Sequence, residues 1–263
     1  MLAGRAHPMS FGEAFAVVFL LLMAPAVGSF LGVLVDRLPR QEDVFRQRSR
    51  CRDCQHPLAV WDLVPVLSYV WLGGKCRYCR AELSPWHLYM EIAAFGLAVV
   101  AVSAGGDALQ IWLSAVFLWL LLALLAADLI WFRLPDPLNA ALLVAAVGVS
   151  VQPGQIGLKA ALIGAFLGVV IFLALRIGYQ AIRKREGLGL GDVKLMAGLG
   201  AFAGPWDLPL LLLIASLGAL LASVVGLGNK RSTAPIGLHR LPFGAALCAA
   251  AMLLWVLRQG YII

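Results

Sequence analysis

The sequence predicts an all-α polytopic membrane protein that crosses the bilayer about eight times. Three observations predict it: a composition too apolar for water, uncharged runs of spanning length, and basic residues gathered on one side of those runs. Of 263 residues, 62% are hydrophobic and only 13% charged, with a mean hydropathy of +0.89. A soluble domain is nearer ~45–50% apolar and ~25% charged, because its surface must face water. The solvent for most of this chain is therefore lipid, which excludes a soluble enzyme, a disordered tail protein and a small disulfide-stapled scaffold. A net charge of +7 and a pI near 9.5 would by themselves suit a nucleic-acid partner. In a membrane protein, however, the placement of basic residues says more than their sum.

A spanning helix needs ~20 predominantly apolar residues, with ~17–25 the usual range. The first expected span is Phe15–Val35, free of charge throughout. Ala24-Pro25-Ala26 inside it looks like a signal cleavage site, but the apolar run continues through Phe30–Val35, and cleavage would export a loop holding nine basic residues. Ile92–Gly106 follows as a shorter span, then the uncharged Ala108–Ala127. Leu138–Leu158 is interrupted by Gln152-Pro153-Gly154-Gln155 and should end early. Ala160–Leu175 comes next, then Val193–Trp206, which is rich in Gly and Ala and carries Lys194. Leu208–Gly228 and Leu241–Leu257 complete the eight.

The basic residues test this count. Eight spans create two classes of loop. One class holds nine Lys and Arg in Asp36–Glu91, Arg133, five in Arg176–Lys194 and three in Lys230–Arg240; the other holds only Arg5, Lys159 and Arg258. Positive loops stay in the cytoplasm, so the class of 18 is expected inside and both termini outside. The polar stretch Arg176–Gly191 reads as a membrane-surface extension of the preceding helix. Asp36–Glu91 is the only sizeable segment expected to be soluble, and it divides the chain into a first transmembrane helix (1–35), a cytoplasmic loop domain (36–91) and a larger membrane domain (92–263).

Four of the five cysteines lie in that loop, as Cys51-Arg-Asp-Cys54 and Cys76-Arg-Tyr-Cys79. The two-residue spacing lets both sulfurs of a pair reach one ion, and 21 residues separate the pairs, just beyond the common window for a two-knuckle zinc site. Four thiolates form a closed tetrahedron with no open position, so Cys51, Cys54, Cys76 and Cys79 are expected to hold a structural zinc. Two disulfides are the alternative, disfavoured in a reducing cytoplasm. A loop of this size has a small core, and metal binding would supply folding energy it lacks. Trp61, Tyr69, Trp71 and Trp86 could pack around the knuckles or sit at the membrane interface. The arginines beside the cysteines follow from the positive-inside bias, and no nucleic acid is expected. Cys248 falls in an apolar span and reads as a buried small hydrophobe.

Carboxylates at the membrane are expensive and mark functional sites. Asp128 follows directly on Ala108–Ala127, and Asp192 sits in Gly189-Leu190-Gly191-Asp192-Val193-Lys194. The topology puts both at the inner ends of their helices, at one depth. Two neighbouring carboxyls cannot both be ionised comfortably, so one can take a proton from water while the other gives one to a carbonyl oxygen. Gly189 and Gly191 admit close approach of a peptide strand. Ordinary roles compete: Asp128 could cap a helix or pair with Arg133, and Asp192 could pair with Lys194 or cap its helix. Asp136, beside Pro135, reads as a turn residue and Asp36, beside Arg37, as an interface residue.

These segments resemble the bacterial prepilin peptidases (type IV leader peptidases), membrane aspartic proteases of the GxGD type. Gly28-Ser29-Phe30-Leu31 with Arg37-Leu38-Pro39 is similar to the family's first-helix signature. Arg48–Cys51, Pro65–Tyr69 and Gly74–Arg77 are similar to its cysteine loop. Asp128 with Arg133–Asp136, Gly189–Leu195 with Leu199-Gly200-Ala201, and Leu241–Gly244 are similar to its later segments. The resemblance spans residues 28–244. Three places depart from it: Gly32 stands where Asn is usual, Asp62 lacks the Asn that usually follows, and Cys51-Arg52 replaces a frequent Cys-Pro.

The resemblance implies an endopeptidase of the bacterial inner membrane, with Asp128 and Asp192 as its acid/base pair and Gly189 and Gly191 shaping the cleft. It implies a type IV prepilin or type II secretion pseudopilin as substrate, whose short basic leader is cut at the cytoplasmic face before an apolar helix. It also implies S-adenosylmethionine-dependent N-methylation of the new N-terminus, with no methyl-donor ligand assignable to particular residues. Two other classes remain as alternatives: a transporter using the same aspartates as a proton relay, and a membrane-tethered zinc module recruiting a partner. The apolar centres of the spans argue against the first, and eight spans are excessive for the second.

Overall fold

The computed structural model describes residues 10–44, 46, 48–184, 188–224 and 242–260. Among these the chain is helical, with no strand and only two isolated β-bridges, Arg50↔Pro57 and Lys75↔Glu82. The helices are α1 (Phe11–Arg37), α2 (Leu67–Trp71), α3 (Trp86–Ser103), α4 (Ala108–Trp131), α5 (Asp136–Ser150), α6 (Gly157–Arg183), α7 (Leu190–Val224) and α8 (Phe243–Gln259). Two 3-10 turns, Leu38–Arg40 and Val60–Leu63, lie between α1 and α2. By length and composition, α1, α3, α4, α6 and α7 can cross a membrane, and α5 and α8 are apolar but shorter. The chain is a multi-pass membrane protein.

α7 has 35 residues, about 52 Å at ~1.5 Å per residue, against a hydrocarbon core of ~30 Å. It is not one continuous rod. Gly204 breaks it at φ +70°, ψ 179°, a backbone conformation open to glycine, and Pro205 follows with no N–H to lose. The break falls near the expected junction of Val193–Trp206 and Leu208–Gly228. The carbonyls just before it are taken up by Arg258 at the end of α8, which donates to Phe202 O (2.9 Å) and Ala203 O (2.7 Å) and pairs with Asp207.

The chain forms two compact units: Met1–Gly32 with Gln47–Ala115, and Val33–Arg46 with Val116–Ile263. In the first, glycines one turn apart bring α1 and α3 together. A Cβ on Gly28 would stand 2.6 Å from Met90 O, and one on Gly32 would stand 2.7 Å from His87 Nδ1. In the second, Gly164 and Gly168 of α6 meet Gly200, Gly204 and the Met196 carbonyl of α7. Lipid supplies no hydrophobic drive between helices, so such small-residue stripes, which let backbones touch, carry the packing. Around them Trp255, Phe117, Phe172, Phe202, Leu121 and Leu199 are fully buried, with Phe117 and Phe202 rings 4.7 Å apart. Ser150 Oγ donates to Ala201 O at 2.9 Å.

Element ends differ from the sequence reading where polar residues sit on helices. α3 begins at Trp86 and so contains His87 and Glu91; α4 runs on through Asp128 to Trp131; α6 absorbs Arg176–Arg183. A charge near a helix end is tolerated when it is satisfied there, as Arg176 is by Leu188 O at 2.8 Å. The basic residues Arg5, Arg185, Lys230, Arg231 and Arg240, with Leu241 of the last motif, lie outside the described residues.

Candidate active site and metal centre

Asp128 lies one turn before the end of α4 and is only 6% exposed. Its carboxylate reaches across to the start of α8, where it accepts the N–H of Ala245 at 2.7 Å and that of Gly244. A helix start leaves its first N–H groups without partners and carries partial positive charge. Asp128 thus caps a helix other than its own. Asp192 sits in the first turn of α7, half-buried, and its carboxylate turns back to accept the N–H of Gly189. That is the reach of an acidic third residue in a capping box. The ordinary pairings are not made: Arg133 donates to Pro39 O at 3.0 Å, and Lys194 Nζ donates to both oxygens of Asp136 at 2.7 Å.

The two carboxylates converge on Gly244. A Cβ built there would stand 3.1 Å from Asp128 Oδ2 and 3.1 Å from Asp192 Oδ1, so those oxygens are at most about 6 Å apart. A cleft of 410 Å³ opens on the pair, walled by Leu38 and Pro39, by Phe132–Asp136 and by Gly189–Asp192. The wall at Leu38–Arg40 is fastened by the Arg133 hydrogen bond and by the Arg40 guanidinium, 4.5 Å from the Trp131 ring centroid. Gly189 is exposed at the cleft, whereas Gly191 packs tightly, its Cβ position 3.1 Å from Leu134 Cβ. Gly244 and the α8 start carried no signal in the sequence beyond the Pro242-Phe243-Gly244 motif, because a backbone N–H leaves no mark on residue type.

The four loop cysteines come together, their sulfurs all within 4.8 Å of one another. Cys51 and Cys79 Sγ are 3.8 Å apart, and Cys54 and Cys76 Sγ 4.0 Å. Tetrahedral zinc with Zn–S near ~2.3 Å requires S···S near ~3.8 Å, so the donor set fits a closed zinc site of four thiolates. All are free thiols. The two knuckles share one conformation: Cys51 N and Cys76 N donate to His56 O and Ala81 O, and Gln55 and Arg80, each directly after the second cysteine, adopt φ near +60°. N–H groups of Cys79 and Tyr78 lower the Cys76 thiol to about 7, towards the thiolate a metal needs. At Cys79 the Ala81 N–H also favours the thiolate, but burial and the hydrogen bonds that its own S–H donates to the neighbouring sulfurs prevail and raise it to about 12. Arg77 donates twice to Asp62 (2.9 and 2.7 Å), whose side chain is 3% exposed, tying the Val60–Leu63 turn to the second knuckle and raising the guanidinium further. Glu91, 6% exposed, accepts the N–H of Val66 at 2.8 Å. Sequence reading placed it at the loop's edge and gave it no role. Cys248 is wholly buried in α8.

Comparison with known proteins adds to this geometry. A family model described as the type IV leader peptidase family matches residues 115–224, and one described as the bacterial peptidase A24 N-terminal domain matches residues 22–104. A protein of Aeromonas salmonicida (strain A449) is 33% identical over 92% of this chain and 90% of its own length. One of Burkholderia pseudomallei (strain 1026b) is 33% identical over 94% and 86%, and one of Dichelobacter nodosus 32% identical over 90% and 90%. All three are named prepilin leader peptidase/N-methyltransferase. No solved structure matches the chain significantly.

Proposed function

This chain belongs to the type IV leader peptidase family, and on that premise we propose that it cuts the basic leader from type IV prepilins or type II secretion pseudopilins by an aspartate dyad and water. The observation that supports the dyad is the approach of Asp128 and Asp192 to the single position at Gly244. One carboxylate takes a proton from water as its oxygen adds to the scissile carbonyl carbon. The other, protonated, gives its proton to the carbonyl oxygen. Collapse of the tetrahedral diol breaks the C–N bond, the leaving amine takes a proton from the dyad, and a new carboxylate and a new N-terminus result. The exposed Gly189 leaves a peptide strand room to approach the dyad.

In this reading residues 92–263 form the peptidase domain, 1–35 the first spanning helix and 36–91 a zinc-bound loop. The active site and zinc loop face the cytoplasm from the bacterial inner membrane, and both termini lie outside. The 18 basic residues on one side of the spans support that orientation. Zinc at Cys51, Cys54, Cys76 and Cys79 would be structural and supplies folding energy to its loop. The names of the relatives support a second activity, S-adenosylmethionine-dependent methylation of the new N-terminus. A proton-relay transporter has no such support. Incubating the purified protein in nanodiscs with a synthetic leader–helix peptide and weighing the products tests the reading. Expected are the two fragments of one internal cut and, with the methyl donor, a further methyl group on the helix fragment. An intact peptide would overturn the peptidase.

A further inference from the structure

The loop expected to be soluble wears its apolar residues on the outside. Trp61 is 78% and Trp71 87% exposed, and Val60, Leu63, Leu67 and Val70 are exposed with them. Leu67, Val70 and Trp71 are spaced i, i+3, i+4 on α2, so they share one face, and α2 packs on the Val60–Leu63 turn. Such a patch on a water-facing domain marks a docking surface.

What covers the patch follows from its attachment. Val66, the residue just before α2, is held at φ +61°, ψ −52°, and Leu67 N donates to Pro65 O at 2.6 Å across it. This is the strained positive-φ γ-turn, centred on a β-branched residue and fixed by the Glu91 carboxylate at Val66 N–H. Glu91 is the sixth residue of α3, about 7.5 Å along the axis from its start at ~1.5 Å per residue. α3 has 18 residues, about 27 Å, so a core of ~30 Å takes its full length. The Val66–Glu91 bond therefore lies within the bilayer's edge, and α2 cannot stand clear of it. Around the same module Arg48, Arg50, Arg52, Lys75 and Arg80 are exposed, the charge that anionic headgroups attract.

We propose that α2 and the Val60–Leu63 turn form an interfacial anchor that lays the cysteine module on the phospholipid surface beside α3, with Trp61 and Trp71 at the headgroup–acyl boundary and Glu91 as its tether. Tryptophan favours that boundary, and surface-lying helices bury their apolar face ~5–10 Å into it. The inference is independent of the peptidase reading.

The test uses the full chain in nanodiscs of mixed phosphatidylcholine and phosphatidylglycerol, comparing the parent with a Trp61→Phe/Trp71→Phe double variant. Both residues are exposed, so the replacement leaves the fold intact, and equal zinc content and thermal unfolding verify that. The difference emission belongs to the two indoles. Expected is that lipids brominated near the top of their acyl chains quench more than half of it, while aqueous iodide quenches little. A second variant, Leu67→Glu/Val70→Glu, should lift the patch off and reverse that preference. Difference emission quenched by iodide and untouched by brominated lipid would overturn the proposal. So would emission shielded from both, which would mean that a second copy covers the patch.

Discussion

Replacing Gly168 by Ala tests whether the glycine packing of α6 on α7 sets the dyad's geometry. The added Cβ would lie 2.6 Å from the Met196 carbonyl oxygen, whereas ordinary contact begins at 3.4 Å. The obstacle is backbone and cannot swing away, so the helices must part locally by about 0.8 Å. Overpacking of this kind costs about 1–3 kcal/mol. Met196 stands one turn beyond Asp192 on α7, so most of that displacement reaches Asp192 while Asp128 stays on α4. Misplacement of a catalytic group by ~1 Å costs on the order of 100-fold in rate, so a loss of about 10- to 100-fold in kcat is expected. Peptide turnover in nanodiscs, weighed by mass spectrometry and paired with thermal unfolding, measures both effects. Gly178→Ala on the same helix is the control, because nothing lies within 4 Å of its Cβ position. It should keep the parental rate and gain up to ~1 kcal/mol in helix propensity. A Gly168→Ala protein that is destabilised yet cleaves at the parental rate would refute the link between this packing and the site.

Three further outcomes follow from the geometry. Gly244→Ala places a methyl group 3.1 Å from both carboxylate oxygens, so cleavage should fall at least ~10-fold by displacement of reacting groups, while zinc content is unchanged; a parental rate would contradict the site. Arg258→Ala removes the donor to Phe202 O and Ala203 O at the Gly204 break and should lower stability by about 1.5–3 kcal/mol, the range for hydrogen bonds involving a charged group, with Arg258→Lys recovering part of it in thermal unfolding. Cys76→Ser should abolish tight zinc binding. In the parent, zinc affinity should fall as pH is lowered, because protons compete with the metal for the thiolates; affinity independent of pH would contradict a thiolate site.

Much of the architecture was legible because lipid writes itself into composition. Every expected span corresponds to an apolar helical segment, the sixth and seventh joined as α7 with its break at Gly204. The cysteine cluster was equally legible, since two-residue knuckles bind through a local geometry that recurs unchanged. Other features left no such mark. Helix ends shifted at Glu91 and Asp128 because a polar residue on a spanning helix is tolerated where a distant backbone group satisfies it, and that partner is invisible in a linear pattern. The contribution of α8 to Asp128 is made by backbone N–H groups. The Gly164/Gly168 and Gly200/Gly204 stripes are spaced as small residues four apart and could have been read as close helix contacts, but their partners become visible only in three dimensions. The loop at Asp36–Glu91 read as soluble because the expected spans leave it outside the bilayer; its apolar residues turn outward around a core made chiefly of cysteine.

The central claim is tested most directly by the cleavage rates of Asp128→Asn and Asp192→Asn, each measured on one leader–helix peptide with membrane insertion, thermal unfolding and zinc content held equal to the parent. The account predicts that each variant, folded and inserted, yields no detectable product. Either variant cutting at the parental rate would contradict a shared aspartate dyad.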